Sequence, residues 1–195
     1  MTKLTKKEKL LIIISLVIII AIGSAFAHLY NEKNNWHNVA AEYNRNQWSE
    51  IHLIAFQMKE RGFTKETISE MYPYINAKIH SSISGLYPSF NGKSPYYSML
   101  GTYYVSLAQD IWVSHNLTDE KMQEAIDIFE DATLALEELS FDILEMTEDR
   151  KNKIELRKIG SPIYNEAEKM IYDYCNTYGE KISNFNQLYD RTATN

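Results

Sequence analysis

The apolar residues of this chain form one unbroken run near the N-terminus and periodic rows over the rest of the sequence. Only Ser15 interrupts the run over residues 10–22, and the small and apolar residues 23–27 extend it. At about 1.5 Å per residue, a helix over residues 10–27 is roughly 27 Å long, which is enough to cross the hydrocarbon core of a bilayer. The pattern therefore predicts a transmembrane helix over residues 10–27 that contacts the lipid bilayer.

The positive charges around this run predict its orientation. Residues 1–9 contain four lysines, whereas the fifteen residues that follow the run contain one, Lys33. Basic residues are enriched on the cytoplasmic side of a membrane span. We therefore expect a cytoplasmic N-terminus over residues 1–9 and an extracytoplasmic domain over residues 28–195.

A cleaved signal peptide is the competing interpretation of the same run. The basic start, the apolar core and the small residues Ala25 and Ala27 match a signal with cleavage before His28, which would release a secreted protein. The run is long for a signal, and helix-compatible sequence continues without a breaker to Gly62. We favour a retained anchor, and both interpretations predict export.

Beyond the run, apolar residues recur at steps of three and four, as on one face of a helix. The first row predicts a helix over residues 32–61 that ends at Gly62. Its members are Trp36, Ala40, Tyr43, Gln47, Ile51, Ile54 and Met58.

The middle of the chain contains the densest turn signals. Thr64 is positioned to cap a short helix over residues 65–71, which Pro73 is expected to break or restart. Helical sequence is expected to resume through Ile75, Ile79 and Ile83. Glycine, proline and asparagine over residues 84–95 predict a loop, and Pro95 suits the start of a helix that runs from residue 96 to about residue 115.

The strongest periodic pattern predicts a long helix after a capping Thr118. Its inward row is Met122, Ile126, Phe129, Thr133, Leu136, Ser140 and Ile143. A last helix is expected to open at Ser161-Pro162. The prediction is an all-α protein, with one N-terminal transmembrane helix followed by an antiparallel bundle of about four long helices.

The charge distribution excludes one class of partner. Of the 20 basic and 26 acidic residues, four lysines and one glutamate lie in residues 1–27, which leaves a net charge of −9 for the rest. Nucleic-acid binding requires clustered Lys and Arg, so no nucleic-acid partner is expected. Ten carboxylates between Glu124 and Asp149 are interpreted as a solvated helix face, with a partner that has a basic surface as the alternative.

No catalytic or cofactor motif is present in the sequence. The seven glycines fit neither a nucleophile elbow nor a nucleotide-binding loop. No histidine follows a glutamate in an E-x-x-H or H-E-x-x-H pattern, so no metal ligands are predicted. The single Cys175 is interpreted as a small buried hydrophobe rather than half of an intermolecular disulfide. We expect no enzyme activity and no cofactor.

One aromatic segment has the composition of a recognition loop. Tyr87, Phe90, Tyr96 and Tyr97 stand among Gly, Pro, Ser and Asn. Tyrosines with small polar neighbours form good binding surfaces, so these four are the candidate partner-binding residues. A lid that closes one end of the bundle is the alternative interpretation.

Together these patterns favour a membrane-anchored extracytoplasmic protein that binds another protein, as an accessory subunit of an envelope complex. Two alternatives stay open. One is a ligand-sensing helical bundle, an analogy at the level of the fold. The other is a secreted effector or enzyme released after Ala27.

Overall fold

The structure is a computed structural model that describes residues 5–86, 96–113 and 118–193. Within these ranges every regular element is a helix and no strand occurs, which confirms the all-α prediction. The elements are α1 (Lys6–Arg61), α2 (Lys65–Leu86), α3 (Tyr96–Val113), α4 (Asp119–Met146), α5 (Arg150–Glu155) and α6 (Pro162–Ala193). The chain divides into two compact units, one that ends at Val39 and one that begins at Ala40.

The first unit is the N-terminal part of α1. The helix starts with a capping box, in which the Thr5 backbone N–H donates to Glu8 Oε2 over 2.7 Å and the Glu8 N–H donates to Thr5 Oγ1 over 3.4 Å. All the side chains of residues 10–33 are exposed. In this apolar stretch Ser24 Oγ donates to the Ile20 carbonyl over 2.9 Å, so the hydroxyl needs no water. Among the described helices, α1 alone is long and apolar enough to span a membrane.

Helix α1 ends where the sequence predicted. Gly62 has a φ of +82°, a conformation that glycine adopts without strain. Its N–H donates to the carbonyl oxygens of Met58 and Lys59 over 3.1 and 3.3 Å, which satisfies carbonyls that the helix end leaves open.

The predicted inward row of α1 is correct only in its C-terminal half. Trp36 and Tyr43 are 71% and 51% exposed, whereas Ile51, Ile54 and Met58 are fully buried. The buried row continues towards the N-terminus through Trp48, Asn44 and Ala41. The predicted positions 40, 43 and 47 each lie one residue before a buried position. The prediction missed the buried row because that row includes the polar Asn44, which a search for apolar residues passes over.

Helix α2 corrects a second prediction. It runs through Pro73 without a break and ends at Leu86, inside the predicted loop. Proline lacks the N–H that would donate to the carbonyl four residues earlier. Because Pro73 is exposed, water can donate to that carbonyl instead. The buried Ile68, Ile75 and Ile79 hold both sides of the proline in the core, and their burial outweighs one lost hydrogen bond.

Helix α4 confirms the strongest sequence prediction. Thr118 caps its first turn, with Oγ1 accepting from the Lys121 N–H, and every inward position after Met122 is buried. Helices α1 and α4 run antiparallel. Lys59 pairs with Glu137 and His52 lies against Ser140, so residue numbers on α1 fall as those on α4 rise.

Of the last two helices, the sequence predicted the start of α6 but not α5. Helix α5 was not predicted, since its six residues lack an apolar row, and Asp149 caps it by accepting from the Asn152 N–H over 2.9 Å. Helix α6 opens as expected, with Ser161 Oγ accepting from the Tyr164 N–H over 3.1 Å and Pro162 as the first helical residue.

Candidate docking surface

The predicted recognition loop is only partly described. Tyr87 and Phe90 lie outside the described residues, and Tyr96 and Tyr97 form the first turn of α3. Their role in binding stays a prediction. A different candidate surface lies where α1 contacts α4.

Metal ligands are not brought together in the described ranges. There, no three side chains among His, Cys, Asp and Glu are placed to hold one metal ion. Cys175 is buried, as predicted, and burial raises the pKa of its thiol to about 12. The thiol is therefore protonated at neutral pH, which removes the thiolate that nucleophilic chemistry requires.

The side chain of His52 connects two exposed aromatic rings across the groove between α1 and α4. Its ring centroid lies 6.5 Å from that of Phe56 on α1 and 6.0 Å from that of Phe141 on α4. Phe141 is 53% exposed and Phe56 is 43% exposed, and Leu53 beside them is also exposed. The ring contacts join three of these residues into one surface that we call the aromatic patch: His52, Phe56 and Phe141.

Hydrogen bonds fix the position of the imidazole in this patch. His52 Nδ1 lies 3.3 Å from the Glu137 carbonyl oxygen and 3.3 Å from Ser140 Oγ. A carbonyl oxygen only accepts, so Nδ1 carries the proton. Ser140 donates its own proton to the Leu136 carbonyl over 2.7 Å and accepts from the imidazole. The ring is thereby held between the two phenylalanines.

An ion pair holds the same two helices together at the edge of the patch. Lys59 Nζ on α1 lies 2.7 Å from Glu137 Oε2 on α4, and the Glu137 side chain is mostly buried. Glu137 thus accepts a hydrogen bond from His52 through its backbone carbonyl and another from Lys59 through its carboxylate. These contacts join α1 to α4 beside the patch, so its rings are positioned by contacts within the chain itself.

A row of acidic side chains runs along α4 through the patch. Its members are exposed and follow at alternating steps of four and three, with Leu134 and Phe141 as the two apolar positions. We call the six carboxylates the acidic row: Glu124, Asp127, Asp131, Glu138, Glu145 and Glu148. Among the described residues only Asp131 of this row has an ion pair, with Lys181 at 3.2 Å. The row therefore presents a mostly uncompensated negative charge.

Sequence reasoning found the acidic positions but missed the aromatic patch. Phe56 and Phe141 belong to helices far apart in the sequence, and neither is part of an apolar row. Their one signal was that each is a large apolar residue outside the predicted inward face of its own helix. No family model matches the chain, and comparisons with curated proteins and with solved structures also find no match.

Proposed function

We propose that this protein is a single-pass membrane protein whose extracytoplasmic helical domain binds another protein, as an accessory subunit of an envelope complex. The observation that carries the proposal is the aromatic patch, with Phe56 and Phe141 exposed on either side of a hydrogen-bonded His52. Exposed aromatic groups in a preformed setting, surrounded by polar side chains, are characteristic of protein-binding sites.

The proposed placement rests on the N-terminal segment. The four lysines of residues 1–9 favour a cytoplasmic N-terminus, and the exposed apolar side chains of residues 10–27 favour contact with lipid. The apolar run is long for a signal peptide, which favours a retained anchor. Mass spectrometry of the purified protein is expected to find the residues before His28 still attached, and a chain that starts at His28 would contradict the anchor.

Co-purification in mild detergent tests the binding function. The full-length protein is expected to bring down a partner in fixed stoichiometry, and Phe141→Ala is expected to lose it. Ile159→Ala is the matched control, since Ile159 is a similarly exposed apolar residue outside the patch. Recovery of the wild type alone, or equal loss of the partner in both variants, would argue against the proposal.

A further inference from the structure

We infer that the partner segment that binds this surface is a basic amphipathic α-helix, which lies along α4 with its apolar side chains on the aromatic patch. This inference rests on the proposed function and specifies the chemistry of the partner. Two properties of the surface support it, the spacing of the apolar positions and the sign of the charges between them.

The spacing of the exposed apolar residues on α4 matches that of a helix. Leu134 and Phe141 are seven residues apart, or roughly 10.5 Å along the axis. A partner helix that runs alongside presents apolar side chains at the same interval of seven, with others three or four residues between them. We call Leu134 and Phe141 the apolar strip of α4. Phe56 on α1 extends this strip, so the partner contacts apolar side chains from both helices, with His52 between the two phenylalanines. Helices commonly bind in grooves of this kind.

The charges around the apolar strip are all of one sign on α4. Asp127 and Asp131 precede Leu134, Glu138 separates it from Phe141, and Glu145 and Glu148 follow. Carboxylates at this spacing repel one another along the helix, and cationic side chains relieve that repulsion. Lys and Arg that flank the apolar residues of a partner helix would stand opposite the acidic row, as in coiled coils where flanking charges select the partner.

Other occupants fit the surface less well. A second copy that used the same face would place acidic row against acidic row, which costs free energy in a symmetric contact. An anionic lipid surface would be repelled for the same reason. A helix with a neutral or acidic polar face would cover the aromatic rings and leave the carboxylates uncompensated.

A designed peptide tests the inference on the full-length protein in nanodiscs of zwitterionic lipid. The probe is a fluorescent helix of about three heptads, roughly 31 Å long, with leucines at the a and d positions and lysines beside them. Binding is measured by fluorescence anisotropy, with empty nanodiscs subtracted. We expect saturable binding to the wild type that weakens as salt rises, because the exposed charges are screened. A peptide of the same composition with its leucines and lysines scrambled is expected to bind at least tenfold more weakly.

Variants of the protein show whether the peptide occupies the proposed surface. Phe141→Ala is expected to weaken binding about tenfold or more, and the pair Glu138→Gln and Glu145→Gln to flatten its salt dependence. The matched control neutralises Glu66 and Glu70, two exposed carboxylates on α2 outside the row, and is expected to leave both properties unchanged. Equal binding of the ordered and scrambled peptides, or equal effects of the two carboxylate pairs, would overturn the inference.

The same variants separate this inference from the proposed function. A natural partner that is lost with Phe141→Ala but retained when Glu138 and Glu145 are neutralised would support protein binding and contradict a basic helix. A partner that depends on none of these residues would contradict both. A dimer of the full-length chain that dissociates with Phe141→Ala would identify a second copy as the occupant and contradict the inference.

Discussion

The hydroxyl groups of Tyr104 and Thr133 lie 3.0 Å apart in the core, and they join α3 to α4. Thr133 donates its own proton to the Phe129 carbonyl over 2.7 Å, so Tyr104 is the donor in this pair. The Tyr104 ring also stacks on Phe129, with centroids 4.9 Å apart. One tyrosine thus supplies both apolar packing and the only proton that the Thr133 oxygen accepts from the described residues.

This arrangement predicts unequal effects of two substitutions. Tyr104→Phe keeps the stacked ring and loses one hydrogen bond, which should lower the free energy of unfolding by about 1 kcal/mol. Thr133→Val leaves the tyrosine hydroxyl buried without an acceptor and should cost about 1–3 kcal/mol. In a Thr133→Val background, Tyr104→Phe should therefore stabilise the protein. Urea unfolding of the four proteins measures the cycle, and additive losses would contradict the hydrogen bond between the two hydroxyls.

Stability is expected to fall steeply in alkaline solution. Burial raises the pKa values of Tyr104 and Tyr174, so both stay protonated in the folded protein at a pH where the unfolded chain ionises them. Their contribution to the free energy of unfolding is fully present below the ordinary tyrosine pKa of about 10. Above that pH it is lost, by about 1.4 kcal/mol per group for each pH unit. Unfolding free energies measured from pH 8 to 11.5 check this.

Tyr174→Phe provides the control for the alkaline loss. The variant loses the 3.1 Å hydrogen bond from Tyr174 Oη to the Ala132 carbonyl, so it should be less stable than the wild type by about 1 kcal/mol at pH 8. It also lacks one of the buried groups whose pKa is raised, so its stability should fall less steeply, and the difference should close near pH 11. Parallel curves would show that Tyr174 ionises equally in both states.

A methyl group at Gly179 is expected to disturb the contact between α3 and α6. A Cβ there would lie 2.7 Å from Tyr103 Cζ, closer than side chains pack. Alanine gains up to about 1 kcal/mol of helix propensity, but overpacking costs about 1–3 kcal/mol, so Gly179→Ala should be destabilising overall. Tyr103→Leu should remove the penalty. Thermal melting tests this, and a Gly179→Ala protein that melts higher would contradict the close contact.

Two leucines on α4 make a matched test of the seam, by which we mean the inward row of buried side chains on this helix. Leu136 is fully buried, so Leu136→Asp should lower stability by several kcal/mol through burial of an unpaired charge. Leu134, two residues earlier, is exposed, and Leu134→Asp should cost at most about 1 kcal/mol, mainly through repulsion by Asp131 and Glu138. Circular dichroism melts compare the two. Equal effects would mean that the seam is wrongly assigned.

The sequence predicted those elements in which every signal agreed. In α4 the apolar period, the Thr118 cap and the acidic first turn point to one helix and one face. Ser161-Pro162 and Gly62 are local signals of the same kind, because a cap depends on residues within one turn.

Predictions failed where tertiary packing outweighed the local rule. Pro73 breaks helices in isolation, yet the buried isoleucines on either side keep α2 continuous. Asn44 is fully buried although it is polar, and no described residue accepts from or donates to its amide. The aromatic patch could not be predicted either, because His52 and Ser140 are brought together only when α1 packs against α4, and no pattern within one helix records that contact.

The burial of Cys175 provides the protein with an internal reporter of its own opening. A thiol that is 5% exposed and protonated at neutral pH reacts with a maleimide or disulfide reagent only while the helices around it separate. Since the chain has one cysteine, the labelling rate counts openings at a single place, with no background from other thiols. A bound partner that favours the closed bundle should slow that rate, so its arrival can be followed without any substitution.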